Sequence, residues 1–291
     1  MEANNKSVSA VLNAPAPHMV GDGFRVHNFF PSGYRIKMSP FFMLDYNSKI
    51  EFSARNEPRG VGVHPHRGFE TVTIAYHGAV AHHDSAGNSG IIYPGDVQWM
   101  TAASGILHKE YHEEEFSKKG GAFQMVQLWI NLPAKYKMST PKYQDIQHSR
   151  MAKYQLPDNA GIIEVIAGEY HGLAGSASTF SALHLFNAKL NKGGKATFSF
   201  PSSYNTGFLI IEGGIKINGK ETAATDQFVH FTNSGSEIEI EALENSVILV
   251  LSGEPIDEPI AQYGPFLMNT AEEIQQALSD YNQGKFGYLE E

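Results

Sequence analysis

No cysteine occurs among the 291 residues. That absence removes disulfides, thiolate–zinc sites and thiol nucleophiles together, and it fits a reducing compartment. Basic residues are the minority charge: 22 Lys and Arg stand against 31 Asp and Glu, a formal net charge of −9. Such a surface repels phosphate backbones, so direct nucleic-acid binding is not expected. No apolar run approaches the roughly 20 residues that a membrane helix requires. The opening stretch from Met1 to Ala10 lacks the basic-then-apolar layout of a secretory signal. The expectation is a cytoplasmic protein with no membrane partner. No nucleophile-elbow sequence appears, and no phosphate-cradling glycine loop stands out.

What is present is a chain rich enough in apolar residues, at 42%, to bury real cores, and long enough for two ordinary domains. Residues 1–20 read as an arm ending in Ala14-Pro15-Ala16-Pro17, with a short strand possible over Val8 to Leu12. Short β-branched and aromatic runs follow, cut by Gly and Pro: Phe69 to Tyr76, Val97 to Met100 and Phe123 to Ile130. This pattern predicts strands and turns rather than helices. Pro133 to Gln147 is polar and carries Pro141, so the domain linker is expected there, between domains at 1–140 and 141–291. One helix is expected near the end: Thr270-Ala-Glu-Glu273 is a capping box, Ile274, Ala277, Leu278 and Tyr281 share a face, and Gly284 stops it.

The chemistry concentrates in His64-Pro65-His66-Arg67-Gly68-Phe69-Glu70 and Gly105-Ile106-Leu107-His108-Lys109-Glu110. Residues two apart on a strand point the same way. His64 pairs with His66 on that rule, and His108 with Glu110. Two such strands facing across a barrel converge three imidazoles and a carboxylate, a metal site in outline. With a divalent ion the set carries about +1, and on a six-coordinate ion it leaves about two positions open for substrate and dioxygen, a pattern shared with non-haem iron sites. Glu70 has the same parity as His64 and His66, and spacing alone does not separate it from Glu110 as the carboxylate.

The other candidates have plainer readings. His82-His83-Asp84 precedes the turn signal Ser85-Ala-Gly87-Asn88 and reads as a solvated loop or turn cap. His112, before Glu113 to Glu115, reads as exposed polar chain, and His77, His171, His184 and His230 as hydrogen-bonded structure. Trp99, Met100, Phe69 and Trp129 suit either a pocket for a flat aromatic ligand or plain core. The second half repeats the first in outline. Asp226 and Gly235 have the offset of Asp96 and Gly105, which places Ile238 and Ile240 where His108 and Glu110 fall, and Phe198 and Phe200 where His64 and His66 fall. A second barrel without metal ligands is the expectation.

His64-Pro-His-Arg-Gly-Phe-Glu-Thr-Val-Thr73, Pro94-Gly-Asp-Val-Gln-Trp-Met-Thr101 and Gly105-Ile-Leu-His-Lys-Glu110 closely resemble the pirin family of the cupin superfamily. Ser39-Pro-Phe-Phe-Met-Leu-Asp45, Leu128 to Leu132 and Tyr263 to Thr270 fit it as well. Ala103 stands where the general cupin pattern has proline, a departure that pirins share. The resemblance implies an all-β bicupin: two tandem double-stranded β-helix (jelly-roll) barrels with a short C-terminal helix and metal only in the first barrel. It carries over the ligands His64, His66, His108 and Glu110, with Glu110 also a possible base, and makes Glu70 a supporting or pocket residue. It implies a single divalent ion, Fe(II) first, with Ni, Cu, Mn, Co or Zn as alternatives. It further implies quercetin 2,3-dioxygenase activity on a small aromatic substrate with dioxygen. The alternative is a metal- and redox-dependent regulatory protein that binds a transcriptional or metabolic partner.

Overall fold

The computed structural model describes residues 4–291; the first three residues of the expected arm lie outside them. The named strands pair antiparallel throughout, and two α-helices occur among the described residues, Glu114–Lys119 and Ala271–Asn282. Neither is long and apolar enough to cross a membrane. The chain forms two compact units, each a barrel built from a seven-stranded and a four-stranded sheet. The all-β, two-barrel expectation holds.

The first barrel comprises residues 16–35, 41–148 and 256–291. Its large sheet runs Lys142–Ile146, Val97–Thr101, Phe69–His77, Gly121–Asn131, Phe41–Phe52, Phe24–Phe30 and His18–Val20. Its small sheet runs Gly60–His66, Ile106–His112, Val80–Asp84 and Ser89–Ile92. Ile106–His112 shows the expected alternation: Ile106, His108, Glu110 and His112 are buried, and the residues between them are half-buried. Phe24, Val26, Ala75, Val80, Ile92, Phe123 and Met125 pack as one buried apolar cluster between the two sheets. The C-terminal segment adds the hairpin Ala261–Tyr263/Phe266–Met268 and the capped helix. Thr270 Oγ1 accepts from Glu273 N at 3.2 Å, and Glu273 Oε2 accepts from Thr270 N at 3.0 Å, so the capping box is present as read. Ile274 and Ala277 pack on Phe266, Met268 and Phe286.

The second barrel comprises residues 4–15, 36–40 and 149–255. Its large sheet begins with the expected arm strand, Val8–Asn13, paired with Gln227–Phe231. Phe198 lies opposite Ile238 in register, as His64 lies opposite His108 in the first barrel. Phe198, Phe200, Ile238 and Ile240 are all buried in one continuous apolar core with Phe186, Phe208 and Phe231. Packed rings and branched chains fill the four positions that carry His64, His66, His108 and Glu110 in the first barrel.

The compact units are not the contiguous blocks 1–140 and 141–291. The expected linker contributes strand Lys142–Ile146, which pairs with Val97–Thr101 in the first barrel. The N-terminal strand belongs to the second barrel and the C-terminal segment to the first. Local composition marks a polar, Pro-containing stretch as a linker, but an edge strand has one solvated side and shows the same polarity.

Candidate metal centre

His64, His66, His108 and Glu110 all come from the first two strands of the small sheet. His108 sits opposite His64 in the ladder, and Glu110 sits opposite Val61 after a bulge at Gly62–Val63. The bulge absorbs one extra residue without disturbing the alternation of Ile106–His112, so His108 and Glu110 both face inward. Ring centroids lie 4.2 Å apart for His64–His108, 4.6 Å for His66–His108 and 4.8 Å for His64–His66. The ligand-type nitrogens of these three rings lie within 4.8 Å of one another.

Hydrogen bonds fix two of the tautomers. His64 Nδ1 is 2.8 Å from the Gly62 carbonyl, which can only accept, so Nδ1 carries the proton and Nε2 keeps its lone pair. Gln98 Nε2 lies 2.9 Å from His82 Nδ1; an amide N–H donates, so that nitrogen accepts. His108 Nδ1 lies 3.4 Å from the same atom. His108 Nε2 and His66 Nδ1 are buried with no hydrogen-bond partner. Burial, and then the neighbouring imidazoles, hold both rings well below the usual histidine range, so they are neutral at pH 7, the form that can bind a metal.

Glu110 is buried and accepts from Thr73 Oγ1 at 3.1 Å and from Gln127 Nε2 at 2.7 Å. Both donors are neutral, and no Lys or Arg among the described residues forms an ion pair with it. A buried carboxylate held only by neutral donors lacks the counter-charge that burial demands. A divalent cation among the adjacent bare nitrogens supplies it, so the donor set fits a metal ion.

The structure adds a fifth group. His82 is fully buried in strand Val80–Asp84, opposite Glu110 in register, and stacks on Tyr143 with centroids 5.3 Å apart. Together with His108 and Glu110 it forms a second cluster able to hold an ion. The loop reading of His82 is therefore corrected: the turn begins two residues later, where Asp84 Oδ1 accepts from Ala86 N and Asn88 N. The apolar alternation around Val80 was the available signal, and the adjacent turn residues masked it. His112 is also corrected. It is buried, bonds the Gly23 carbonyl at 2.8 Å and packs among Phe24, Phe52, Phe116 and Phe123, which pushes its pKa down to about 4 by burial.

Glu70 does not join the cluster. The strand ends at His66, and Gly68 at φ 91 turns the chain, so the parity count from His66 breaks there. Glu70 sits on the strand face opposite Thr73, accepts from Thr101 Oγ1 at 2.7 Å and is pushed up to about 7 by burial. The Phe69 and Trp129 rings stack at 4.2 Å, and His66 lies against both. Trp129 borders a cavity of about 330 Å³, whereas Trp99 and Met100 are plain core. His184 and His171 are structural, the first accepting from Glu169 N at 3.4 Å and the second stacked on Tyr154.

That cavity opens directly onto His64, His66 and Glu110 and is walled mainly by apolar side chains, among them Val20, Phe24, Met43, Met125 and Trp129. Its polar lining beyond the cluster is Gln127 and Asp45. A concave apolar site with a few convergent polar groups is the usual form of a small-molecule pocket.

Residues 23–130 match the pirin family and residues 185–287 match the Pirin C-terminal cupin domain. A Pseudomonas aeruginosa protein whose name carries a provisional quercetin 2,3-dioxygenase assignment is 45% identical over 97% of this chain and 98% of its own. Pirin-like protein 2 of Arabidopsis thaliana is 38% identical over 92% of this chain and 82% of its own. A crystal structure of quercetin 2,3-dioxygenase from Acinetobacter baumannii superposes with a TM-score of 0.92 at 44% identity, covering 98% of this chain and 99% of that one.

Proposed function

The chain belongs to the pirin family of the cupin superfamily, and on that premise we propose that it is a metal-dependent dioxygenase that opens flavonols such as quercetin with release of carbon monoxide. His64, His66, His108 and Glu110 are the proposed ligands of one divalent ion, Fe(II) in the first instance. The observation that carries the reading is Glu110: a buried carboxylate without a counter-charge, beside bare imidazole nitrogens, at the wall of an apolar cavity.

When bound, the ion supplies Lewis acidity toward the flavonol oxygens and redox chemistry toward dioxygen. The chain supplies the rest. Thr73 and Gln127 hold the Glu110 carboxylate within the cluster, where it can take the proton of the flavonol 3-hydroxyl. Gly62 fixes the ring of His64, and Gln98 fixes that of His82, which packs beside His108. Trp129 offers a flat wall to an aromatic substrate, and the apolar lining keeps water from the reacting ring.

The test is headspace carbon monoxide from quercetin under air. Wild-type protein reconstituted with ferrous ion is expected to release it, and metal-free protein and His64→Ala are expected to release none. Absence of metal-dependent carbon monoxide from the reconstituted wild type overturns the reading.

A further inference from the structure

The inner face of the large sheet carries a polar row at right angles to its strands. Gln98, Thr73, Gln127, Asp45 and Asn28 are successive register partners on five adjacent strands. Register partners project from the same face, so all five side chains point into the barrel. Gln98 is spent on His82, and Thr73 and Gln127 on Glu110. Asn28 has its amide oxygen on Ser32 N at 2.8 Å and its Nδ2 on Asp45 Oδ1 at 2.7 Å.

Asp45 is the member of the row left facing the cavity with a charge to satisfy. It is 8% exposed, and Asn28 is its one hydrogen-bond donor among the described residues. Beyond its register partner Gln127, which is spent on Glu110, the cavity wall outside the cluster is apolar, with Met43, Val26, Met125 and Trp129 among its residues. Burial pushes its carboxyl above the usual range, against the pull of Asn28 and the charge of His18. A carboxylate with one donor in such a setting is short of hydrogen bonds, and removing a donor group from its reach costs it dearly. Asp45 lies one strand spacing beyond Gln127, about 5 Å, so it sits beside the metal cluster and not in it.

We propose that Asp45 is a substrate-binding residue whose carboxylate accepts a hydrogen bond from a hydroxyl of the aromatic substrate, remote from the oxygens that reach the metal, and so selects polyhydroxylated rings over bare ones. This rests on the reading of the cavity as a flavonol site. Nothing in the row needs to move: Asn28 fixes one oxygen, and the apolar wall makes any ring lacking the hydroxyl pay for an unpaired acceptor.

The experiment is calorimetric binding under argon to the ferrous-loaded full chain, with 3-hydroxyflavone, galangin, kaempferol and quercetin as probes. These keep the metal-binding 3-hydroxyl and 4-oxo pair; galangin adds the 5- and 7-hydroxyls together, kaempferol then the 4′ and quercetin the 3′. One addition is expected to raise wild-type affinity roughly tenfold to hundredfold, the range of a charge-assisted hydrogen bond. In Asp45→Ala that increment is expected to fall below about threefold, and 3-hydroxyflavone is expected to bind more tightly than to wild type, because it no longer leaves an acceptor unpaired. Asp45→Asn, which keeps the shape and the Asn28 contact, carries the test if the alanine variant misfolds, and is expected to lose most of the same increment. An increment that survives in these variants, or no increment in the wild type, overturns the assignment. Selective binding without carbon monoxide in air overturns the dioxygenase reading alone and leaves Asp45 in place.

Discussion

Two glutamates of the first barrel are buried to a similar degree and have opposite roles. Glu110 meets two neutral donors and shares a possible metal cluster with His82 and His108, and the proposed cation would resolve its charge. Glu70 meets Thr101 and is resolved by a proton, its pKa raised to about 7. Below the ordinary glutamate pKa both folded and unfolded chains hold that proton. As pH rises from about 4.5 to 7 the unfolded chain releases it first, so stability falls across that window. Glu70→Gln removes the penalty and keeps an acceptor for Thr101. The variant is expected to match wild type near pH 4 and to exceed it at pH 8 by on the order of 1–3 kcal/mol in urea unfolding. Gln127 gives the second prediction at this scale. Gln127→Ala deletes the 2.7 Å donor to Glu110 Oε2 and should weaken iron binding roughly 10–100-fold in chelator competition, with the fold intact.

At the scale of elements, the same edge position is filled differently in the two barrels. Beside Val97–Thr101 lies Lys142–Ile146, the next stretch of the same half; beside Gln227–Phe231 lies Val8–Asn13 from the far N-terminus. Without its partner, Gln227–Phe231 becomes an open edge carrying Phe228, Val229 and Phe231. Deleting residues 1–13 is expected to lower the unfolding midpoint and promote self-association, seen by light scattering, while iron binding per folded molecule is retained. Loss of iron binding with an unchanged midpoint would contradict this division of labour.

For the whole molecule, the strand end that carries His66 is braced by chain that lies beyond the second barrel in sequence. Arg67, next to His66, is buried and binds Asp280 at 2.9 Å and the Ser104 carbonyl at 2.7 Å, with its guanidinium over the Phe286 ring. Lys137, lowered to about 8 by burial, donates to Gly68 O and Leu267 O. Truncation after Pro255 leaves the residues of the second barrel complete but removes the Asp280 carboxylate, the Phe286 ring and the Pro265–Leu267 backbone that hold Arg67 and the turn after His66 in place. Such a chain is expected to keep a cooperative unfolding transition for the second barrel and to lose iron on desalting, measured by elemental analysis. Iron retained at the wild-type ratio would refute the dependence.

The sequence by itself determined the strands, the capping box, the His64/His66 and His108/Glu110 pairs and the apolar residues that replace them in the second barrel. Each of these follows from side-chain alternation or turn chemistry within one short run. Only the tertiary structure decided what joins those runs. The turn at Arg67–Gly68 carries Glu70 away from the cluster, because parity holds only along an unbroken strand. The pairing of Val80–Asp84 with Ile106–His112 brings His82 in, and the register of five strands lines up Asp45 with Gln127. Crossing of the terminal segments between barrels is equally invisible locally, since the partners of Val8–Asn13 and Arg67 lie more than two hundred residues away in the chain.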